Sequence, residues 1–250
     1  MLNRFRASWM FLLAVLLTQA VCAQNVAEQY LVAALNQERA ASGMSALAWN
    51  PQLAAAARQH AIRMAQFGAI SHHFAGEQEL ADRTSAMGAQ FSSIAENVAV
   101  GQTAITLHEA WMHSPGHRAN ILDASLTSVG IAVVPYRGRL WAVQDFARDV
   151  ANLSLNEQET RVQALLQRYP MLHGVAVSDD ARGTCGLSTG FAGDRRPSFV
   201  VRYTASDLSR LPDQLTTRFA SGKYTHAEVG ACHGAKGTFT SYNIAVMLFP

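Results

Sequence analysis

Two histidines and one glutamate have side chains that could act together. His72 and His117 are far apart along the chain, and Glu96 lies between them in sequence. Two neutral imidazoles brought together by the fold could bind a divalent ion such as zinc. Glu96 could then complete the site or orient one imidazole through a hydrogen bond. The three residues therefore define a candidate metal site, with His72 and His117 as its ligands.

The same residues allow three other interpretations. With a bound metal and Glu96 as the base beside an activated water, they would form a hydrolase acting on peptide or envelope material. Alternatively, Glu96 and His117 hydrogen-bond to each other and only lock a loop to a helix. They also suit a polar cleft that binds without reacting, because no activated nucleophile accompanies them in the sequence. The sequence favours binding and leaves enzymatic activity open.

Two segments look catalytic but have the wrong context. His108 and His113 flank a glutamate as in the zinc-protease motif H-E-x-x-H, but they are five residues apart, about 140° around a helix. Residues 186–190 fit the pattern G-x-S-x-G, yet their neighbours predict neither the preceding strand nor the following helix of a nucleophile elbow. We expect His73, His108 and His113 to be exposed or locally bonded.

Two helices are predicted ahead of His72. An apolar stripe predicts a helix over residues 27–41. A second helix begins at Asn50 and Pro51, a strong capping pair, and ends before Gly68. Its first turns, residues 53–57, carry mostly small side chains, so another element can approach them closely.

Glu96 and His117 are predicted to lie in different kinds of structure. Residues 69–102 are predicted to be irregular, and a helix follows over about 103–113. Pro115 breaks that helix and begins a short one that carries His117 to residue 122. Because Ser114 precedes Pro115, its default role is a helix N-cap.

The remaining chain alternates between strand and helix signals. Strands over 128–134 and 140–147, joined by a short turn, predict an antiparallel hairpin. A linker near 149–153 precedes a capping box at Ser154 and Glu157. The elements predicted after it are a helix ended by Pro170, a loop over 180–197, a strand over 198–203, a helix over 206–221 that Pro212 kinks or delays, and a strand over 238–249. Residues 154–250 are therefore predicted to form a smaller α+β domain of unknown function.

Four segments carry a family resemblance: Ser71-His72, Ala95-Glu96-Asn97, Trp111–Leu122 and Trp141–Phe146. In this order they resemble the bacterial branch of the CAP superfamily, the SCP-like domain of cysteine-rich secretory proteins, antigen 5 and pathogenesis-related proteins. The resemblance covers about residues 27–148. It implies a three-layer α-β-α sandwich, with an antiparallel sheet between two helical layers and a cleft at one end.

The resemblance also implies a set of cleft residues. His72, Glu96 and His117 match three of the family's four cleft positions, and the fourth, an acid in the animal branch, falls at Ser114 here. The full set of two histidines and two acids is therefore incomplete. The family implies diverse roles, among them sterol and fatty-acid binding. We expect a secreted binding module whose partner is a small apolar ligand, a cell-envelope component or a protein.

The first 23 residues have the pattern of an export signal. Arg4 and Arg6 precede an unbroken apolar run, residues 9–17, and Ala23 offers a cleavage point. This run is too short to cross a bilayer, which takes about 20 residues. The alternatives are an uncleaved anchor or lipid attachment at Cys22. No later apolar stretch predicts a membrane span, so we expect a secreted or periplasmic protein.

Export bears on the two cysteines of the mature chain. Cys185 and Cys232 are predicted to form a disulfide, because an oxidising compartment favours one. The alternative is two unpaired buried thiols.

The charge balance bears on the class of partner. The formal net charge is +2, and removal of Arg4 and Arg6 leaves 18 basic and 18 acidic residues. This balance argues against nucleic acid, which requires a concentrated positive face.

Overall fold

The computed structural model describes residues 24–234 and 237–250. The expected signal peptide, residues 1–23, lies outside the described residues. The described helices are α1 (Val26–Ala41), α2 (Pro51–Phe67), α3 (Leu80–Ala86), α4 (Ala104–His113), α5 (Pro115–Ile121), α6 (Leu155–Leu166), α7 (Asp179–Cys185) and α8 (Asp213–Phe219). The described strands are β1 (Ala48–Trp49), β2 (Phe91–Gly101), β3 (Ser128–Tyr136), β4 (Arg139–Asp149), β5 (Gly174–Val177), β6 (Phe199–Ala205), β7 (His226–Cys232) and β8 (Tyr242–Phe249).

The first sheet lies between two helical layers. Its strand order is β1-β3-β4-β2, antiparallel except for the short parallel pair of β1 with β3. Helix α2 covers one face through Ala57, Ala61 and Met64. Helices α1, α4 and α5 cover the other, with Trp111 of α4 fully buried. The predicted α-β-α sandwich is confirmed.

Helix α2 packs closely against the sheet at its first turns. Its start has the predicted cap, since the Asn50 side chain accepts hydrogen bonds from the backbone amides of Gln52 and Leu53. Gly130 of β3 faces the small residues of its first turns, and a Cβ there would lie 2.0 Å from the backbone nitrogen of Ala54. The predicted close approach is confirmed, because both surfaces lack bulky side chains at the contact.

The prediction that residues 69–102 are irregular is wrong. This region contains α3 and β2, and β2 pairs with β4 along its length. The sequence signal of β2 is weak because polar residues such as Ser93, Glu96 and Asn97 interrupt its apolar alternation. Tertiary contacts accommodate these residues, since Glu96 and Asn97 are both buried.

The second sheet has the order β5-β7-β8-β6 and belongs to an α+β unit. Helices α6 and α8 pack on one face through residues such as Val162 and Phe219, and α7 contributes Ala181 to the other. The prediction of a loop over 180–197 is wrong at its start, where the Ser178 side chain caps α7. Strands β5 and β7 are also absent from the prediction, because β5 is short and β7 is interrupted by Glu228 and glycine.

Two features tie the second unit together and to the first. Cys185 and Cys232 form the predicted disulfide. The Thr240 backbone amide donates to the carbonyl of Phe91, the first residue of β2, at 2.9 Å. Within residues 24–234 and 237–250, no helix has the length and apolarity needed to cross a bilayer.

Candidate functional site

His72 and Glu96 are brought together by the loop after α2 and by strand β2. The His72 Nδ1–H donates to Glu96 Oε1 at 2.7 Å. The His72 side chain is 61% exposed, whereas that of Glu96 is 3% exposed. The hydrogen bond to the carboxylate raises the pKa of His72, although partial burial opposes it. The contact fixes Nδ1 as the bonded nitrogen and leaves Nε2 available.

The second oxygen of Glu96 is held by a residue that no sequence motif marks. The Arg83 guanidinium, from α3, contacts Glu96 Oε2 and is itself 3% exposed. Arg83 NH1 also lies 3.4 Å from the carbonyl oxygen of His72. Both oxygens of Glu96 are therefore engaged, and this side chain lies beneath the surface rather than in the cleft wall.

Asp145 adds a second buried acid to the same place. It lies opposite Glu96 in the β2–β4 register, is 0% exposed, and its Oδ1 lies 3.8 Å from Arg83 NH2. Burial raises its pKa well above the ordinary value, the charge of Glu96 raises it further and Arg83 opposes the rise. One guanidinium therefore faces two carboxyl groups, and burial makes Asp145 hold its proton more tightly than an ordinary aspartic acid does.

His60 anchors the loop that carries His72. This fully buried residue of α2 places Nε2 2.7 Å from the Ser71 carbonyl oxygen and Nδ1 2.8 Å from Glu77 Oε1. No motif marks His60 in the sequence, because a histidine within an apolar helix face is typical of an ordinary core position. Its contacts fix the backbone next to His72.

His117 and Ser114 lie on the opposite side of the site, at the α4–α5 junction. Burial lowers the pKa of the His117 imidazole, and the nearby charge of His72 lowers it further. Ser114 occupies the predicted N-cap position of α5, but its side chain makes no capping hydrogen bond. The hydroxyl is therefore not committed to the helix that follows it.

Asparagines, and not a bond between Glu96 and His117, lock α5 to β2. Asn97 donates to the carbonyl of His117 at 3.1 Å. Asn120 donates to the carbonyl of Glu96 at 3.2 Å and to the Asn97 side chain at 2.9 Å. The alternative in which Glu96 and His117 bond to each other is wrong, because Glu96 bonds to His72 and Arg83.

His72, Ser114 and His117 line one hollow of about 420 Å³. Ser71 also lines it, its other walls are apolar, and it extends along β2 between the loop after α2 and helix α4. The apolar residues in these walls are Ile70, Val98, Ala99, Val100, Ala110 and Trp111. Of the four predicted cleft residues, three line the hollow and Glu96 supports His72 from behind. The hollow combines a predominantly apolar wall with two imidazoles and two serine side chains, Ser71 and Ser114.

The donor set does not match a catalytic zinc site. Such a site uses three protein ligands and one open position. With both Glu96 oxygens engaged, the hollow offers the imidazoles of His72 and His117 as nitrogen donors. Among the described residues, no group of three or more His, Cys, Asp or Glu side chains is arranged to hold a metal ion.

The three histidines that were expected to be exposed or locally bonded lie away from the hollow, and two of them make local contacts. His73 Nε2 lies 2.8 Å from the carbonyl oxygen of Glu77, and His113 Nδ1 lies 2.7 Å from that of Glu109. The expectation is wrong for His108, which is buried by the packing of α4 on α1 and has Nε2 3.7 Å from Glu38 Oε1. None of the three lines the hollow.

The first half of the chain is similar to known proteins. Residues 32–146 match the model of the family described as "CAP: Cysteine-rich secretory protein family". "Uncharacterized protein YkwD" of Bacillus subtilis (strain 168) is 30% identical over 128 residues, covering 51% of this chain and 49% of the relative. The chain thus spans about half the length of the curated relative that it matches.

Solved structures align with the same half. An extracellular protein containing a SCP domain from Bacillus anthracis is 27% identical, covers 49% of this chain and 40% of that chain, and gives a TM-score of 0.46. An outer surface protein from Borrelia burgdorferi is 18% identical, covers 49% of this chain and 92% of that chain, and gives a TM-score of 0.47.

Proposed function

We propose, since residues 32–146 form a domain of the cysteine-rich secretory protein (CAP) family, that the protein is an exported binding module. Its hollow would take a small, largely apolar ligand or cell-envelope component that carries at least one hydrogen-bonding group. The second α+β unit has no assigned part in this proposal.

The composition of the hollow carries the proposal. Apolar side chains such as Val98 and Trp111 favour burial of an apolar body. His72 Nε2, Ser114 and His117 offer a few polar groups that would fix its orientation, the arrangement typical of small-molecule pockets. A volume of about 420 Å³ falls in the range of such pockets.

Hydrolysis has less support in the contacts. A general base must reach the proton that it removes, and the candidate base Glu96 has one oxygen on His72 and the other on Arg83. Its side chain is 3% exposed. Glu96 is thus better suited to orienting His72 than to activating a water in the hollow.

The disulfide supports the export part of the proposal. The bond between Cys185 and Cys232 persists in oxidising compartments and is rare in the reducing cytosol. The predicted signal peptide agrees with this location.

The test blocks the hollow with a bulky side chain introduced at an exposed position of α4. Ala110→Phe places a ring in the hollow, and Ala40→Phe places one on the exposed surface of α1 as the matched control. The purified proteins are titrated with fatty acids, sterols and peptidoglycan fragments by calorimetry. We expect binding to wild type and the control, and at least a tenfold loss in Ala110→Phe. The proposal fails if wild type binds no probe at millimolar concentration, or if both variants bind equally well.

A further inference from the structure

Strand β2 is an edge of the first sheet, and its outer side borders the hollow. The strand order ends with β2, whose strand partner is β4. Val98, Ala99 and Val100 of this strand line the hollow. An edge strand has a row of backbone N–H and C=O groups that no neighbouring strand satisfies. Only the backbone groups of β2 that point away from β4 can therefore meet a ligand in the hollow.

The hydrogen bonds of β4 to its two neighbours identify which residues of β2 have backbone groups that point away from β4. The carbonyl of Ala147 accepts from the amide of Thr127, so Ala147 faces β3. Because successive residues of a strand point to opposite sides, Ala142, Gln144 and Phe146 face β2. Their partners in β2 are Ala99, Asn97 and Ala95. The intervening residues, Val98 and Val100, therefore direct both backbone groups away from β4.

A hydrogen bond on the outer side confirms this alternation. The Asn120 side chain donates to the carbonyl of Glu96, and Glu96 is two residues before Val98, so it shares its direction. Asn120 occupies this edge at Glu96, where α5 crosses the strand. Among the contacts of the described residues, the backbone N–H and C=O groups of Val98 and Val100 have no protein partner on that edge.

We propose that the ligand of the hollow is an extended peptide segment that adds to the outer edge of β2 as a further strand. Its backbone would exchange hydrogen bonds with Val98 and Val100, the mode known as β-strand addition. The proposal rests on the proposed binding function and specifies the chemical class of the ligand.

The walls of the hollow define what the peptide side chains would meet. Alternate side chains of an added strand point to opposite faces of the sheet. His72, which bonds to Glu96, lies on the face that Val98 shares, and Trp111 and His117 lie on the other face with Ala99 and Asn97. At about 3.3 Å per residue, a three-residue stretch reaches from Val98 to Val100. The peptide should therefore need a core of three to five residues with apolar side chains and an unmodified backbone.

The first experiment tests the peptide backbone. A library of capped all-L pentapeptides, with apolar residues at alternate positions, is screened against the purified protein, and the best binder is N-methylated at each amide in turn. Methylation of an amide facing β2 should weaken binding about tenfold or more, and methylation of the next amide, which points away, should change it less than twofold. Equal effects at every amide, or no binder at millimolar concentration, would overturn strand addition.

The second experiment tests the protein edge. Val100→Pro removes the N–H that points outward. It breaks no hydrogen bond to β4, because this N–H points away from β4, and proline is tolerated at such positions of an edge strand. Val100→Ala is the matched control that keeps this N–H. We expect Val100→Pro to bind the selected pentapeptide about tenfold more weakly than Val100→Ala does, whatever affinity the alanine variant has. If the proline variant does not fold, exchange of the Val98 and Val100 amides in wild type decides, since they should become protected only with peptide bound.

These outcomes separate the two proposals. If a lipid or a peptidoglycan fragment binds, and Ala110→Phe abolishes that binding while no pentapeptide binds, the binding function holds and strand addition is wrong. A peptidoglycan stem peptide that competes with the selected pentapeptide would instead identify the envelope as a source of the extended segment.

Discussion

Glu96 and Asp145 lie opposite each other across β2 and β4, and both carboxyl groups face Arg83. Opposed residues of an antiparallel pair place their side chains on the same face of the sheet. Arg83 contacts Glu96 directly and lies 3.8 Å from Asp145. One buried cation thus serves two buried acids, and one of these acids, Glu96, also accepts the hydrogen bond from His72.

Asp145→Asn should change how stability depends on pH. The folded-state pKa of Asp145 is raised by burial and by Glu96, so above pH 4 the folded chain holds this proton more tightly than the unfolded chain. Unfolding free energy then falls as pH rises through the folded pKa, by about 1.4 kcal/mol for each unit of the shift. Asparagine does not ionise and so removes this loss. In urea denaturation, the unfolding free energy of the variant relative to wild type should therefore be higher at pH 8 than at pH 4. The same pH dependence in both proteins would contradict an elevated pKa.

Glu96→Gln should lower the pKa of His72, because the carboxylate that raises it is removed. A proton NMR titration of the imidazole measures the change, and Glu109→Gln, at an exposed position of α4, is the control. Since the folded pKa of His72 lies above its unfolded value, the bond stabilises the fold below the unfolded pKa, and this contribution is lost as pH rises through the folded one. A midpoint that does not move in Glu96→Gln would show that the contact is absent in solution.

Removal of the disulfide should destabilise the second unit. Cys185 and Cys232 are 47 residues apart in sequence, and closing a loop of that size is worth roughly 4 kcal/mol on the chain-entropy model. The double variant Cys185→Ala/Cys232→Ala should lower the melting temperature under oxidising conditions to near that of reduced wild type. Unequal melting temperatures for these two forms would mean that the alanines perturb packing as well.

Gly130→Ala should destabilise the first unit, because its Cβ would lie 2.0 Å from the backbone nitrogen of Ala54. Overpacking typically costs about 1–3 kcal/mol, and here the obstacle is helix backbone, which cannot rotate away. Gly116→Ala in α5 is the control, since its Cβ meets nothing within 4 Å. Chemical denaturation should show a loss in the first variant and no loss in the second. Equal stabilities would mean that α2 lies farther from the sheet.

Much of the first unit could be predicted from local signals. Caps and breakers such as Asn50, Gly68 and Pro115 act on the backbone within a few residues, so they fixed most helix ends. Strand β2 could not be predicted in this way, because its polar residues find partners from elsewhere in the chain. Helix α7 could not be predicted either, because it is only seven residues long and its first turn is polar.

The chain's residues by themselves determined the family resemblance, the segments carrying His72, Glu96, Ser114 and His117, and the cysteines that pair. Tertiary structure decided what those residues do together. It placed Glu96 behind the hollow on Arg83, put Asp145 opposite it and left the edge of β2 open beside His72 and His117. The physical reason is range: capping and periodicity act within a few residues, whereas a shared cation, strand register and an unpaired edge depend on segments distant in sequence.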